Sequence, residues 1–374
     1  MSDPHILYGM SASLFTGKAR AYLLHHGIAF QERGAGHPTF TGEIVPAMGR
    51  WIIPVLITPS GDILQDGTAI IDHFESRGLG RHSVVPDSPL LRAVAHLFEL
   101  FGGEGLLRPA MHYRWGFDDD NLDFLRVNFA EAFPPGLDAA QSAAMFDHSS
   151  GRMRKAGSAF GVSDETAQTI EAGFRHFVTL FDAHLEAHRF LLGDRASLGD
   201  YGLMNGLFAH LARDPHPALI MKRIAPRVFA WTERMNRPAD PEPGGWIADI
   251  PDTLRAMMQF VADDFLPEWT AHTRFINGWL DDTPELPGDA MERTLGMAEF
   301  DWRGHTIRTA VMPYRLWLVQ RLTDHYDGCT DADRIRIRDL FGRSDLLPLI
   351  DARAARRVDR RDNREVWGNL PAPF

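Results

Sequence analysis

Short apolar runs alternate with one amphipathic helix in the first third of the chain. His5 to Met10 is apolar and ends in Gly-Met-Ser, as a buried strand does. From Thr16 to His26, the residues Ala19, Tyr22, Leu23 and His26 recur at helical spacing, and Gly27 stops the helix. Ile28 to Glu32 reads as a second strand. Residues 51–58 form a strongly apolar run containing Pro54, Gly61-Asp62 marks a tight turn into Ile63-Leu64, and residues 67–77 predict a helix. A proline normally demotes a central strand. It fits here if Ile53-Pro54 is a cis bond at the strand's start, where the backbone faces a ligand.

A strand-helix-strand unit followed by a hairpin and helix is the layout of an α/β thioredoxin-like domain, placed at residues 1–80. Residues 81–90 hold two prolines and read as a linker. Residues 91–240 predict an all-helical domain. Its clearest helix runs from Thr166 to Phe190, where Ile170, Phe174, Phe177, Phe181 and Leu185 form one apolar stripe. Ser197-Leu198-Gly199-Asp200 is a capping-box-like start for the next helix, with Asp in place of the usual Glu or Gln. Pro238, Pro241, Pro243 and Gly244-Gly245 mark a second break. The remaining segment, residues 241–374, carries six of the nine tryptophans and is expected to be an ordered, mainly helical extension. Within it, residues 297–311 alternate around Arg303-Gly304 as a hairpin does, and 313–327 read as a helix.

The 374 residues carry a net charge of −11, which argues against a nonspecific nucleic-acid binder. Only Lys18, Lys155 and Lys222 among the 39 basic residues are lysine, a bias expected of a GC-rich bacterial genome. Cys329 is the sole cysteine, so no intrachain disulfide, Cys-rich zinc site or CxxC pair exists. The N-terminus lacks the pattern of a signal peptide, and every apolar run is far shorter than the ~18 residues that span a bilayer. A cytoplasmic protein without metal, nucleic acid or membrane is the expectation.

Residues 5–78 resemble the N-terminal domain of the glutathione S-transferase superfamily, and 90–236 resemble its helical C-terminal domain. Leu7-Tyr8-Gly9 followed by Ser13-Leu14-Phe15-Thr16-Gly17-Lys18-Ala19-Arg20 is similar to the family's Ser-Pro-Phe-x-x-Lys-Val-Arg. Ile53-Pro54-Val55-Leu56 resembles Val-Pro-Val-Leu, and Leu64 to Ile71 resembles the Glu-Ser-x-Ala-Ile stretch. Ser197 to Asp200 fits the C-domain capping box. The resemblance covers about two thirds of the chain and does not extend to residues 241–374.

The resemblance implies an enzyme that activates the glutathione thiol for attack on a hydrophobic electrophile, working as a homodimer with glutathione as cosubstrate. Ser13 would hold the thiolate, at a helix N-terminus where backbone N–H groups favour an anion. Capping the helix is its alternative role. Ser11 and Tyr8 are the substitutes, Tyr8 being equally a strand aromatic of the core. A thiol of pKa ~8.5 is about 3% ionised at pH 7. Lowering that pKa also weakens the nucleophile, so holding thiolate and electrophile together must do most of the catalysis. Ile53 and Pro54 would dock the peptide backbone by β-addition. Asp66, Gly67 and Thr68 would hold the γ-glutamyl end. Gly67 stands where the family has Ser, and Arg50-Trp51 replace the usual Gly-Lys. Thiol-reductase chemistry through a cysteine at position 13 is excluded, because the only cysteine is Cys329.

The electrophile would lie near Phe98, Phe101, Met111 and Tyr113, which are also core candidates. His184 and His188, four apart, could pair on a metal or simply pack. Asp118-Asp119-Asp120 reads as a solvated helix start. The arginines at 353, 356, 357, 360, 361 and 364 read as a solvated or internally paired stripe with Asp351, Asp359 and Asp362. A second reading is a noncatalytic module of the same fold that binds a partner through its extension. If the extension is a lid, removing 241–374 changes substrate range and leaves glutathione affinity alone. Loss of folding makes it part of the core.

Overall fold

The computed structural model describes residues 4–283 and 291–368. Strand β1 (His5–Gly9), helix α1 (Leu14–His26) and strand β2 (Phe30–Gly34) open the chain. A single-turn helix α2 (Val45–Met48), β3 (Val55–Ile57), β4 (Ile63–Gln65) and α3 (Gly67–Glu75) complete the first unit. The sheet order is β2-β1-β3-β4, with β1 parallel to β2 and the other pairs antiparallel. This is the predicted thioredoxin-like layout, and Ile53-Pro54 is cis. The strand predicted over 51–58 is shorter than its apolar run, pairing only at Val55 to Ile57.

An all-helical region follows: α4 (Pro89–Leu100), α5 (Leu107–Trp115), α6 (Asp118–Ala130), α7 (Ala139–Gly157), α8 (Ala167–His184), α9 (Leu198–Gly206), α10 (Pro215–Ile224) and α11 (Pro226–Met235). Ser88 starts α4 by accepting the Leu91 N–H, with Pro89 preset at the first helical position. The α8 stripe is buried along its length, from Ile170 to Leu185. Helices α4 and α9 cross in backbone contact. A Cβ on Gly102, just past α4, would lie 2.3 Å from the Gly202 carbonyl, and one on Gly202 would lie 2.3 Å from the Glu99 Cα. Only glycine permits that approach.

The predicted Ser197–Asp200 start is fixed by more than a cap. Fully buried Asp200 accepts from the Ser197 N–H (2.8 Å) and hydroxyl (2.7 Å), the Leu191 N–H (2.9 Å) and the Trp231 indole N–H (3.0 Å). Burial still raises its pKa above the usual carboxylate range, against those four donors.

The described residues of the extension are mainly helical. They comprise α12 (Asp252–Asp282), a hairpin of β5 (Gly296–Trp302) and β6 (His305–Val311), α13 (Pro313–Asp327), α14 (Asp331–Gly342), the single turn α15 (Pro348–Asp351), and a second hairpin of β7 (Val358–Arg361) and β8 (Arg364–Trp367). Arg303, at φ 46°, and Gly304, at φ 87°, make the predicted turn of the first hairpin. Helix α12 packs on α8, and α13 packs on α4. Buried residues of the N-terminal unit, the helical region and the extension form one continuous hydrophobic cluster. No helix among the described residues is long and apolar enough to cross a membrane.

Three histidines meet where α1 ends against the linker. His26 Nδ1 accepts the Arg81 N–H (3.0 Å), so in its neutral form Nε2 carries the proton and faces the Tyr201 hydroxyl at 3.2 Å. Protonating Nδ1 would oppose two donors. Burial, with His82 adding to it, lowers His26 to about 3 and His25 to about 4. An unfolded histidine takes its proton near pH ~6.5. The unfolded state therefore binds protons first as pH falls, and stability declines from about pH 6.5 towards pH 3. His26 is expected to cost ~1.4 kcal/mol per pH unit down to about pH 3, and His25 the same down to about pH 4. Urea unfolding between pH 7 and 4 checks this, and replacing His26 with Gln should flatten the slope.

Candidate functional site

The turn between β1 and α1 puts Ser13 at the helix start, where its hydroxyl oxygen accepts the Thr16 N–H at 3.3 Å. That cap uses one lone pair and leaves the O–H free to donate, so the capping and thiolate-holding roles are compatible. Ser11 faces away, with its hydroxyl 3.1 Å from Asn128 Oδ1 and 3.0 Å from Glu131 Oε2. Tyr8 is buried against Phe40, Met48 and Val55, its ring 5.2 Å from that of Phe40. It packs as a strand aromatic does. Ile53 packs against that cluster and against one containing Met10 and Ala12.

The other end of the cleft starts at Asp66, held at φ 93° between β4 and α3. Its carboxylate caps α3 by accepting the Thr68 N–H at 2.6 Å. Thr68 in turn accepts from Lys18 Nζ (2.7 Å), which also pairs with Glu99 (2.8 Å) in full burial. Burial alone would raise Glu99, but Arg321 and Lys18 hold it well below the usual carboxylate range. A side chain at Gly67 would be closely flanked. A Cβ there would stand 3.2 Å from the Phe15 carbonyl oxygen and 3.3 Å from the Lys18 side chain.

The extension reaches these same residues. Tyr314, at the start of α13, lines the same small cavity as Asp66 and Thr68, and burial followed by the Asp66 charge pushes its pKa far up. Arg360 lies 3.7 Å from the Asp66 carboxylate and donates to Gln65 Oε1 at 2.6 Å. Asn363, at the tip of the second hairpin, accepts the Gln65 N–H and donates to the Ile63 carbonyl, both at 3.0 Å. One amide side chain thus covers the open edge of β4. Arg50 joins the hairpin through Glu365 (3.1 Å), and Arg364 donates to the Met48 carbonyl. The cavity remaining among Phe15, Lys18, Asp66, Gly67, Thr68 and Tyr314 measures about 10 Å³. A single water needs ~10–15 Å³.

The structure therefore gathers Asp66, Gly67 and Thr68 in one place, with Ser13 at the start of α1 and Ile53 packed on the cluster that contains Tyr8. The Ser11 hydroxyl is turned to α6. Lys18, Glu99, Tyr314, Arg360 and Asn363 join the site without having been singled out for it. Phe98, Phe101 and Tyr113 are fully buried core residues, and Met111 nearly so. His184 is engaged by Thr253 and the Leu191 carbonyl, both at 2.9 Å. Among the described residues no group of three or more His, Cys, Asp or Glu is gathered for a metal. Asp118 pairs with Arg154 and Asp120 with His216 at the start of α6. Of the C-terminal arginines, Arg353 and Arg357 are paired bidentately with Asp327 and Asp324.

Solved structures similar to the chain include glutathione transferase GSTFuA3 from Phanerochaete chrysosporium, at 16% identity and a TM-score of 0.44, covering 63% of this chain and 97% of that one. The β-etherase LigF from Sphingobium sp. strain SYK-6 is 15% identical with a TM-score of 0.44, covering 63% and 95%. A glutathione S-transferase of Ceriporiopsis subvermispora in complex with glutathione is 17% identical with a TM-score of 0.42, covering 64% and 100%. No curated protein sequence matches the chain. Residues 7–81 match the family model described as the glutathione S-transferase N-terminal domain. That match falls on the thioredoxin-like unit, from β1 to just past α3, and identifies residues 7–81 as a domain of the glutathione S-transferase N-terminal kind.

Proposed function

We propose that the chain uses the glutathione transferase fold as a noncatalytic binding module. In this reading the γ-glutamyl end of its cleft is closed by its own extension. The observation that carries it is the occupancy of Asp66. The carboxylate that would receive the α-amino group of glutathione already takes the Thr68 N–H and faces Tyr314 and Arg360. An incoming tripeptide must displace those partners and the hairpin behind them. Such displacement subtracts from the binding energy of a ligand that holds on by a few polar contacts.

A second reading is favoured by Ser13, whose hydroxyl keeps a free donor at the α1 start. There the chain is a glutathione transferase that attacks a hydrophobic electrophile, as a homodimer in the cytoplasm, once the extension moves. Titration of the full chain with reduced glutathione separates the two. The module is expected to give no saturable heat up to ~10 mM glutathione, a dissociation constant weaker than ~1 mM. Tyr314→Ala with Arg360→Ala and Asn363→Ala should restore binding. Wild-type binding tighter than ~1 mM that Asp66→Ala weakens would discard the module in favour of the transferase.

A further inference from the structure

A cleft of about 410 Å³ lies between α13 and the second hairpin, on the side of the hairpin facing away from the sheet edge. That volume is in the range of small-molecule sites, ~300–1,000 Å³. More guanidinium groups than carboxylates line it, with further acids behind the lining paired to them. Arg321, Arg357, Arg360 and Arg361 line it against two carboxylates, Asp324 and Asp359, in a chain whose net charge is −11. Trp317 forms the floor, with the guanidinium groups of Arg360 and Arg321 at 5.1 and 5.5 Å from its ring.

Three of the four arginines are held in place before any ligand arrives. Arg321 is clamped by Asp72 (2.6 and 2.9 Å) and Glu99 (3.1 Å), using three of its five N–H donors. Arg357 spends two on Asp324. Arg360 is fixed by Gln65 at 2.6 Å and by Glu365, whose carboxylate lies 3.3 Å from its Nε. Gln320 holds the wall itself, exchanging bonds of 2.7 and 2.8 Å with the Val358 backbone. Arg361 is exposed and has no ion pair among the described residues. Fixed guanidinium groups with spare donors lose little entropy on meeting an anion, and their fork matches oxygen pairs.

We propose that this cleft is a binding site for a small anion with several acceptor oxygens, a phosphate or a polycarboxylate. Arg361 would close on the anion against the fixed Arg357 and Arg360. Because Arg360 also grips Gln65, occupancy should tighten the hairpin on the sheet edge. The test is calorimetric titration of the full chain with inorganic phosphate and, separately, with citrate, at constant ionic strength. Saturable binding of either with a dissociation constant below ~1 mM is expected, and the stronger of the two names the source. Arg361→Gln, at an exposed position, should weaken it at least ~tenfold without changing thermal unfolding. Arg336→Gln, on the exposed face of α14, should leave it unchanged. Amide exchange over residues 358–367 should slow at saturation. No saturable heat from either anion, equal weakening by both substitutions, or unaltered exchange in the hairpin would each overturn the site.

Discussion

Deleting residues 241–374 is expected to leave a chain that does not reach a native state. Helix α12 alone buries Leu254, Met257, Met258, Phe260, Val261, Phe265 and Trp269, all at 5% exposure or less. They pack on the α8 face formed by Phe174, Phe177 and Phe181. At ~1.5–3 kcal/mol per side chain, that burial matches or exceeds the ~5–15 kcal/mol that holds a domain folded. The deletion also strips Arg321 from Asp72 and Glu99, and Arg315 from Glu104, leaving, among the described residues, Asp72 and Glu104 without a cation and Glu99 with Lys18 alone. A lid would leave a folded core behind; this segment is built into the core. Near-ultraviolet circular dichroism and thermal unfolding of 1–240 beside the full chain check the point. A cooperative transition within a few degrees of the full chain would return the extension to the role of a lid.

The parts of the fold set by local pattern were legible. The period of two around Arg303-Gly304 emerged as the hairpin predicted, and the period near 3.6 in 166–190 as a helix that stops at His184, six residues short of the predicted end. The Pro54 strand start and the Ser197–Asp200 helix start depend on a few residues close in sequence, and both could be read. What escaped were contacts over long separations. Asn363 lies 300 residues from Ile63, and a side chain completing another strand's edge leaves no periodic trace. One local signal was available. Asp362-Asn363, both at positive φ, form the two-residue turn of a hairpin, and short polar residues between Arg-rich strands suggest it. Gly67 could be seen to depart from the family's Ser, but the close approach of the Phe15 carbonyl and the Lys18 side chain to that position is a matter of packing.

The largest expected effect of a single substitution is at Glu268, in a buried set of charges where α12 and α13 meet the helical region. Glu268 accepts from Arg315 at 2.6 Å and from Arg108 at 2.8 Å. Arg315 also donates to Glu104 at 3.1 Å and lies 3.1 Å from His272 Nδ1, whose other nitrogen meets Thr309. All five of Arg108, Glu104, Glu268, His272 and Arg315 are at 4% exposure or less. Burial, then the Arg315 charge, lowers His272 to about 3, so it is neutral at pH 7 and two cations balance two anions. Burial raises Glu104, whereas in Glu268 the two arginines overcome burial and push the carboxyl far down. Removing one member leaves a charge stranded without water. Glu268→Ala is therefore expected to cost ~3–5 kcal/mol. Replacing the balanced set with apolar residues of similar size should cost much less, or even stabilise. Denaturant midpoints of Glu268→Ala and of a quadruple variant (Glu104→Leu, Arg108→Met, Glu268→Leu, Arg315→Met) decide it. If the quadruple variant is as unstable as the single one, the loss comes from packing shape, and charge balance is not what holds this junction.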